Sequence, residues 1–555
     1  DEAVVFAVSQ RRLEVREQHF QGVLRRDDED ADIGFNLRQL GDQIRFRGVH
    51  VPDDFVVLDR LQRTRSRLDQ SSQLPVEANG CGAKEVQRWS LVANGAIRDG
   101  KLVIFHRASK LYKVEEGDTL ETVVKFLNKE LTALKAKDRL TVENLKISLE
   151  NTTRRIPRGY IPLPNQIAKH FDIEIIDCLE AKTGKPLWRH AYPTSYEDPY
   201  GYNNGPRCVP LITKDYVYTY GAEGVLVCLE LKTGKQIWRR DTHKDFTVVP
   251  NFFGVGSTPV LEGGLLLTMV GGQPNSGMVA FNAKTGKTVW ENIGKNTWNG
   301  TPKLGWRGEP TMIWRGQEKI ASYASPVIAT VHGKRVAFCL MRQGLVALDP
   351  ATGKEYFKRW FRARENDSVN ASNPVVINDH IFFSSAYYGE GSFVLKIKKD
   401  LSGYTEVWSD QTRRIQANNP RLAEVLGLHW MTPIVHEGNI YAFSGRNEPD
   451  AKFRCVEFLT GKLLWEQDEA WQKYGPPSKK YGRGSFIKAD GKLIVLGETG
   501  KFGLFQLNAR KAVELASYMV PQLRYPCWAA PAMADKRVYL RSEAYLICLD
   551  LAEKR

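Results

Sequence analysis

A segment with a fixed pattern of residue types recurs along the chain, and this repeat constrains the fold more than any other feature. It consists of an apolar run, a polar turn that contains Thr-Gly-Lys, and a second apolar run that ends in an aromatic residue. The clearest copies end at Trp188, Trp238 and Trp290, about fifty residues apart. Weaker copies end at Phe357, Trp408, Trp465 and Leu515. A period of this length with a fixed pattern predicts a repeat architecture.

Each copy has the properties of a β-hairpin. Its glycine, such as Gly184 or Gly234, stands where a tight turn needs a positive φ angle. The flanking runs alternate in polarity and are too short for helices. A second pair of short strands precedes each hairpin and usually opens with a small residue and Pro, as at Pro259 and Pro326. Because Pro fits at a strand start or edge, we place the innermost strand there, beside a central channel.

Four antiparallel strands per repeat form one blade of a β-propeller, whose faces only neighbouring blades can cover. Seven endings, and a last segment Leu546–Leu551 that stops at its third strand, predict eight blades. The expected fold class is all-β, an eight-bladed propeller closed by an N-terminal strand and the C-terminal blade. We expect Lys84–Leu91, around Trp89, to supply the missing outer strand. The propeller then comprises residues 84–108 and 173–555.

The repeated pattern is similar to that of pyrroloquinoline-quinone-type (PQQ-like) propellers. That family includes quinoprotein alcohol dehydrogenases, the propeller lipoprotein of the outer-membrane barrel assembly machinery, and other bacterial envelope proteins. The resemblance covers residues 84–555 apart from one insertion. It implies a periplasmic or other extracytoplasmic location, and either a binding scaffold or a quinone-dependent oxidoreductase.

The quinoprotein dehydrogenases hold PQQ beside a disulfide between adjacent cysteines, with a calcium ion and a catalytic Asp. No two cysteines of this sequence are adjacent, and it has no Cys-x-x-Cys-His haem attachment motif. Motifs of zinc proteases, serine hydrolases and P-loop proteins are also missing from the sequence. We therefore expect no catalytic residue, metal or cofactor, because a fold alone does not imply its relatives' chemistry. The alternative is a PQQ-dependent dehydrogenase with calcium at an atypical site.

Residues 110–166 interrupt the first blade with a predicted strand-helix-helix-strand unit. Asp118 or Thr119 can cap its first helix, which follows Gly117. The segments Tyr112–Leu120 and Ile156–Pro164 resemble a LysM domain, a module that binds N-acetylglucosamine polymers. The resemblance implies a glycan groove formed by Gly117, Asp118, Thr119, Leu120, Ile156 and Pro157. The Asn that the family has near the end of its second helix falls on Leu149 or is displaced to Asn151, and the alternative to a glycan-binding module is a tolerated insertion at a hairpin.

Composition restricts the partners of the chain. Its net charge of +15 favours anionic neighbours such as polysaccharide, teichoic acid or lipid surfaces. A cell-wall glycan or an envelope protein is the expected partner. The sequence has no basic run interleaved with aromatic residues and no run of eighteen apolar residues, so we expect neither nucleic acid binding nor a membrane span. An intracellular interaction protein is the remaining alternative.

Residues 1–80 differ from the rest of the chain. They contain twelve Arg but no Lys, Tyr or Trp, and their charge runs are typical of solvated or disordered segments. We leave them unassigned, as a separate module or as a segment that does not belong to the functional protein.

Loops that lead into the inner strands, and the hairpins beside them, carry polar residues toward one mouth of the channel. The main candidates are Arg207, Glu223, Arg364, Asn370, His429, Trp430 and Arg446, with Tyr202, Asn203, Asn204 and Glu448 near them. Such convergence predicts a site for a small ligand or peptide. Alternatively, these groups only hydrogen-bond the ends of the inner strands. The indole of Trp430 could stack on a planar or sugar ligand, or simply plug the channel.

Overall fold

The computed structural model describes most of the repeat region and a few residues outside it. The described residues are 4–7, 87–90, 95–113, 125, 128, 129, 168–200, 202–301, 312–363, 368–419, 422–473, 475 and 478–551. All of them belong to one unit of the chain, residues 1–8 and 76–552. They form an eight-bladed β-propeller, which confirms the predicted fold class.

The strands are numbered in chain order, and within a blade they run from the channel outward. Two strands precede the first blade, β1 (Val4–Ala7) and β2 (Gln87–Ser90). The first blade contains β3 (Ala96–Arg98), β4 (Lys101–Lys113), β5 (Ala168–Glu180) and β6 (Pro186–Thr194). The second contains β7 (Leu211–Ile212), β8 (Tyr216–Tyr220), β9 (Val225–Glu230) and β10 (Gln236–Asp241).

The third and fourth blades continue this order. The third contains β12 (Val260–Glu262), β13 (Leu265–Gln273), β14 (Ser276–Asn282) and β15 (Thr288–Asn292), with a short β11 (Thr247–Val248) beside β13. The fourth contains β16 (Val327–Val331), β17 (Lys334–Leu340), β18 (Gly344–Leu348) and β19 (Glu355–Trp360).

The last four blades complete the ring. The fifth contains β20 (Val375–Ile377), β21 (His380–Ser385), β22 (Gly391–Ile397) and β23 (Tyr404–Ser409). The sixth contains β24 (Ile434–His436), β25 (Asn439–Ser444), β26 (Lys452–Glu457) and β27 (Leu463–Asp468). The seventh contains β28 (Ser485–Ala489), β29 (Lys492–Leu496), β30 (Lys501–Gln506) and β31 (Val513–Met519). The eighth contains β32 (Ala532–Ala534), β33 (Arg537–Arg541), β34 (Tyr545–Asp550) and, outermost, β1.

Outside the insertion, the helices among the described residues are short and lie in the connections between blades. They are α1 (Thr242–Asp245), α2 (Lys295–Trp298) and α3 (Asp410–Gln416), with 3-10 turns at Tyr387–Gly389 and Glu448–Asp450. The N-cap of α3 is Ser409, whose hydroxyl oxygen accepts a hydrogen bond from the amide of Thr412. None of the helices in the described ranges is long and apolar enough to cross a membrane.

An N-terminal strand closes the ring, but not the strand that the sequence suggested. The register of β1 on β34 runs antiparallel from Val4 opposite Cys548 to Ala7 opposite Tyr545. Trp89 instead lies in β2 opposite Ala108 of β4, so its predicted pairing with the last blade is wrong. The inner strand β3 pairs only with the start of β4, which leaves the same edge of β4 open for β2.

The eighth and first blades pack against each other across this closure. The hydroxyl of Tyr539 donates a 3.0 Å hydrogen bond to the carbonyl of Ala181. Leu546 of β34 is buried in one apolar cluster with Leu102 and Ile104 of β4. The last and first repeats therefore share a core, as a closed ring requires.

The repeated tryptophan joins consecutive blades. The indole nitrogen of Trp188 donates a 2.9 Å hydrogen bond to the carbonyl of Leu231 in the next blade, and Trp238 does the same to Ala283. The corresponding bonds of the later blades are Trp290 to Pro350, Trp408 to Phe458 and Trp465 to Asn508. A buried indole thus keeps its polar group satisfied while its apolar area fills the gap between blades.

A small residue faces most of these indoles from the neighbouring strand. Cys178 lies opposite Trp188, Cys228 opposite Trp238, and Ala280 opposite Trp290. The described cysteines are all free and buried, and burial raises the pKa of the Cys228 thiol to about 12. The repeated cysteine is therefore a small packing residue.

Candidate binding site at the mouth of the channel

Aromatic side chains from four different connections meet at one end of the ring. Tyr202 leads into the second blade and lies 6.0 Å from Phe253, which leads into the third, measured between ring centroids. Trp528, which leads into the eighth blade, lies 6.5 Å from Tyr202 and 5.6 Å from Trp430, which leads into the sixth. Because these residues come from blades all around the ring, their meeting point lies over the channel.

These rings belong to a larger surface that we call the aromatic band. It consists of Tyr200, Tyr202, Phe252, Phe253, Tyr323, Trp430 and Trp528. The side chains of Tyr200 and Tyr202 are each 54% exposed, so part of the band faces solvent. A contiguous exposed apolar surface of this kind is typical of a binding site.

Beneath Trp430 lies a buried ion-pair network centred on Arg483. Its guanidinium donates hydrogen bonds to Glu498 at 2.8 Å and to Glu448 at 2.8 Å, and it lies 4.7 Å from the centre of the Trp430 ring. The indole nitrogen of Trp528 donates to Glu498 at 3.2 Å. The network therefore fixes both tryptophans of the aromatic band in place, because a buried charged pair needs full hydrogen bonding.

The geometry determines the protonation of His429. Arg483 can only donate, so the 3.2 Å contact from its Nη1 makes His429 Nδ1 an acceptor. The proton of the neutral ring is then on Nε2, which donates to the hydroxyl oxygen of Tyr387 at 2.8 Å. The enclosure of the imidazole, and next the charges of Arg483 and Arg446, hold the pKa of His429 well below its usual value. His429 is therefore neutral at physiological pH and positions its neighbours.

Arg446 belongs to the rim of the same site. Its guanidinium lies 4.8 Å from the ring centre of Tyr387 and 4.3 Å from that of Tyr388. Its carbonyl accepts a 2.6 Å hydrogen bond from Arg483. The sequence-based candidates His429, Trp430, Arg446 and Glu448 are thus brought together.

The other candidates make structural contacts. Arg207 donates to the carbonyl of Phe253 at 2.9 Å and to the carboxylate of Asp198 at 3.0 Å. Glu223 accepts a 2.7 Å hydrogen bond from the amide of Ser195. The buried amide of Asn370 donates to the carbonyl of Met341 at 2.9 Å. These groups hold the connections that carry the aromatic band.

Two further residues near the mouth have comparable roles. Asn204 accepts a 2.7 Å hydrogen bond from the amide of Asp198, and the side chain of Asn203 donates to Glu543. Arg364 and the LysM-like positions Gly117, Asp118, Thr119, Leu120, Ile156 and Pro157 lie outside the described residues.

Sequence reasoning missed several residues of the site. They are Phe252, Phe253, Tyr323, Tyr387, Arg483, Glu498 and Trp528. Trp528 and Phe253 precede inner strands, as Trp430 does, and that shared position could have identified them. Arg483 and Glu498 carry no comparable signal, because Arg483 reaches His429 and Trp430 only when the sixth and seventh blades pack together, and Glu498 joins them through Arg483.

Comparison with known proteins places the propeller among related repeats. A PQQ-like family, described as outer membrane protein assembly factor BamB, matches residues 173–421. The match covers a little under half of the chain and lies within the propeller. A comparison with curated protein sequences gave no match.

Solved structures similar to this propeller have low sequence identity. BamB from Moraxella catarrhalis is 13% identical, with a TM-score of 0.43, over 69% of this chain and 90% of that one. Quinohemoprotein alcohol dehydrogenase from Comamonas testosteroni is 13% identical, with a TM-score of 0.46, over 70% of this chain and 74% of that one. A europium-containing methanol dehydrogenase is 14% identical, with a TM-score of 0.35, over 82% and 84%. At this identity the comparison says nothing about activity.

Proposed function

We propose that this protein is a non-catalytic binding and scaffold protein of the cell envelope, whose PQQ-like propeller docks partners at the mouth of its channel. The aromatic band is the observation that carries this proposal. Its exposed members Tyr200 and Tyr202 offer apolar contact area, whereas the polar groups beneath Trp430 are hydrogen-bonded to one another. A rigid apolar surface on a satisfied polar base suits recognition rather than proton or group transfer.

The polar groups of this mouth do not suit a calcium-dependent quinone site. Glu448 and Glu498 share the guanidinium of Arg483, and Glu498 also accepts from two indoles, of Trp471 and Trp528. Calcium needs six to eight oxygen ligands, including carboxylates that are free to coordinate it. No cluster of His, Cys, Asp and Glu among the described residues has the geometry of a metal site. The donor set therefore supports a binding role over the alternative of a PQQ-dependent oxidoreductase.

We further propose that the LysM-like insertion, residues 110–166, tethers the propeller to peptidoglycan or a chitin-like glycan. The first blade supports this arrangement. Its β4–β5 hairpin stays paired to Lys113 opposite Ala168, well past Arg107, which bonds the carbonyl of Asn204 at the mouth. The chain thus leaves the blade at the end of the ring that carries the aromatic band. A glycan held at this end would be close to both the LysM-like insertion and the aromatic band.

Sedimentation with insoluble peptidoglycan or chitin tests both parts. We expect the full chain to be retained, and retention to fall when residues 114–167 are replaced by Asn-Gly. That two-residue turn suits the directly paired ends Lys113 and Ala168. Tyr200→Ala with Tyr202→Ala should weaken retention further, whereas Tyr518→Ala, on the outer strand of the seventh blade, should not. Equal retention of all variants, or none of the wild type, would contradict the proposal.

A reconstitution assay tests the oxidoreductase alternative. The full chain is incubated with PQQ and calcium, and its absorbance and its reduction of a dye with alcohols or sugars are recorded. We expect neither a shift in absorbance nor dye reduction. Turnover that depends on added PQQ would replace the scaffold proposal with the enzyme.

A further inference from the structure

Three basic side chains gather beside one end of the aromatic band. The ammonium nitrogen of Lys319 lies 5.0 Å from the ring centre of Phe252, and the guanidinium carbon of Arg342 lies 5.5 Å from it. Arg362, which follows β19, is near enough to act electrostatically on Lys319 and Arg342. Lys319, Arg342 and Arg362 are called the basic cluster below.

Two members of the basic cluster, Lys319 and Arg362, carry positive charge that the described part of the chain does not compensate. Among the described residues, no carboxylate lies within ion-pair distance of either, and Arg362 Nε is buried without a hydrogen-bond partner. Burial, and then the charge of Arg342, lowers the pKa of Arg362 to about 10. Burial and the two guanidinium groups likewise lower the pKa of Lys319. Like charges held together destabilise a fold, unless a ligand supplies the negative charge.

The basic cluster is continuous with the aromatic band. Lys319 and Arg342 both lie over the ring of Phe252. The centroid of that ring lies 4.6 Å from that of Phe253 and 5.5 Å from that of Tyr200. Lys319 and Arg362 are partly exposed, so a ligand on the exposed tyrosines can also reach their charges. Tyr323 joins the two parts, since its ring lies 6.1 Å from Phe252 and 5.6 Å from Phe253.

We propose that the basic cluster and the aromatic band together form a binding site for a carboxylated sugar chain. In this arrangement the aromatic rings stack on the apolar faces of the sugars, and Lys319 and Arg362 bind a carboxylate. The inference rests on the proposed function, since it names the ligand of the same mouth. The positive charge of the basic cluster favours an anionic ligand over a neutral one. Flat exposed rings beside the cations favour a sugar chain over an acidic peptide, whose backbone would need an open strand edge or a groove.

Calorimetric titration of the full chain with polygalacturonate oligosaccharides tests this inference. We expect binding that weakens as salt concentration rises. The variant Lys319→Gln with Arg362→Gln should bind about tenfold more weakly or worse, because each lost charge-assisted hydrogen bond costs at least that much. The matched control is Lys334→Gln with Lys284→Gln, which removes two exposed lysines outside the mouth and keeps the same net charge. The control should bind like the wild type.

Two further measurements make the result decisive. The melting temperature of the Lys319→Gln, Arg362→Gln variant should not fall, because the change relieves repulsion, so a loss of binding cannot be ascribed to unfolding. Neutral cello-oligosaccharides and poly-glutamate serve as comparison ligands. Equal binding of the neutral sugar, or unchanged affinity in the variant, would overturn the inference while leaving peptidoglycan retention by the aromatic band intact. Stronger binding of poly-glutamate, lost in the same variant, would assign the site to an acidic polypeptide instead.

Discussion

Gly234 of the second blade lies directly against the indole of Trp188 in the first. A Cβ atom at Gly234 would stand 2.6 Å from the indole ring, and its φ angle is +69°. Gly286, Gly353 and Gly461 meet Trp238, Trp290 and Trp408 in the same way. The glycine of the repeat therefore serves two purposes at once, since it makes the hairpin turn and leaves room for the preceding blade's tryptophan.

Substitution of Gly234 by Ala should separate these two purposes. Gly491 is the control, because its φ is +70° and a Cβ atom added there would meet no other atom within 4 Å. Gly491→Ala should lower the free energy of unfolding by about 1–2 kcal/mol, through backbone strain alone. Gly234→Ala should lose about 1–3 kcal/mol more, because the indole must move. Urea unfolding measures both, and equal losses would show that the tryptophan contact imposes no steric cost.

Asp177 should make the stability of the propeller depend on pH in the acidic range. Its carboxylate accepts 2.6 and 2.7 Å hydrogen bonds from Arg189 and a 2.9 Å bond from His106. Burial alone would raise the pKa of Asp177, but the bonds from His106 and Arg189 outweigh it and lower the pKa to about 2 from the ordinary 3.8. Since the folded-state pKa is depressed, the stabilisation is complete above the ordinary value and is lost as pH falls toward 2.

The variant Asp177→Asn provides the measurement. At about pH 6, wild type should exceed it in free energy of unfolding by about 2 kcal/mol from this shift alone. The difference should shrink as pH is lowered from about 4 toward 2. A difference that stays constant over that interval would mean that the hydrogen bonds from His106 and Arg189 do not lower the pKa of Asp177.

The buried network under Trp430 should be strongly coupled. Glu498 is fully buried, so Arg483→Met leaves a carboxylate without its cation and should cost about 3–5 kcal/mol of stability. The double variant Arg483→Met with Glu498→Gln should be more stable than Arg483→Met alone, because the uncompensated charge is gone. A double-mutant cycle by urea unfolding tests this expectation. Additive losses would show that the two residues act independently.

The strand β1 should contribute to closure of the ring. Deletion of residues 1–8 exposes the outer edge of β34, where Val4 pairs with Cys548 and Phe6 with Leu546. We expect a lower melting temperature and increased aggregation, because an open strand edge can pair with other chains. Deletion of residues 1–3 alone is the control and should leave both unchanged. If the two deletions behave alike, β1 does not stabilise the eighth blade.

Local pattern alone identified the blades and their number, but strand alternation does not describe every apolar residue of the hairpins. Leu187, Ile237 and Val289 each precede a repeated tryptophan and are 47%, 42% and 51% exposed. A β-bulge at this point of each hairpin, as between Cys178 and Leu179, explains the exposure. The extra residue turns outward, so simple alternation of inward and outward positions fails beside the tryptophan.

The candidate site was identified only in part for a related reason. His429 and Trp430 are adjacent in sequence, and their position before an inner strand indicated the mouth. Their partners Arg483 and Glu498 come from the next blade, and Trp528 from the one beyond it. Such contacts depend on how blades are arranged around the ring, which no local pattern specifies.

The sequence by itself determined the repeat, because turn glycines, strand alternation and an aromatic residue at the end of each hairpin are local features of the chain. Only the tertiary structure decided that Val4–Ala7, and not the segment around Trp89, completes the last blade. It also decided that Lys319, Arg342 and Arg362 gather beside the aromatic band. The strands β1 and β34, far apart in sequence, become neighbours only when the ring closes, and the three cations come together only when the fourth blade folds, so no local pattern specifies either contact.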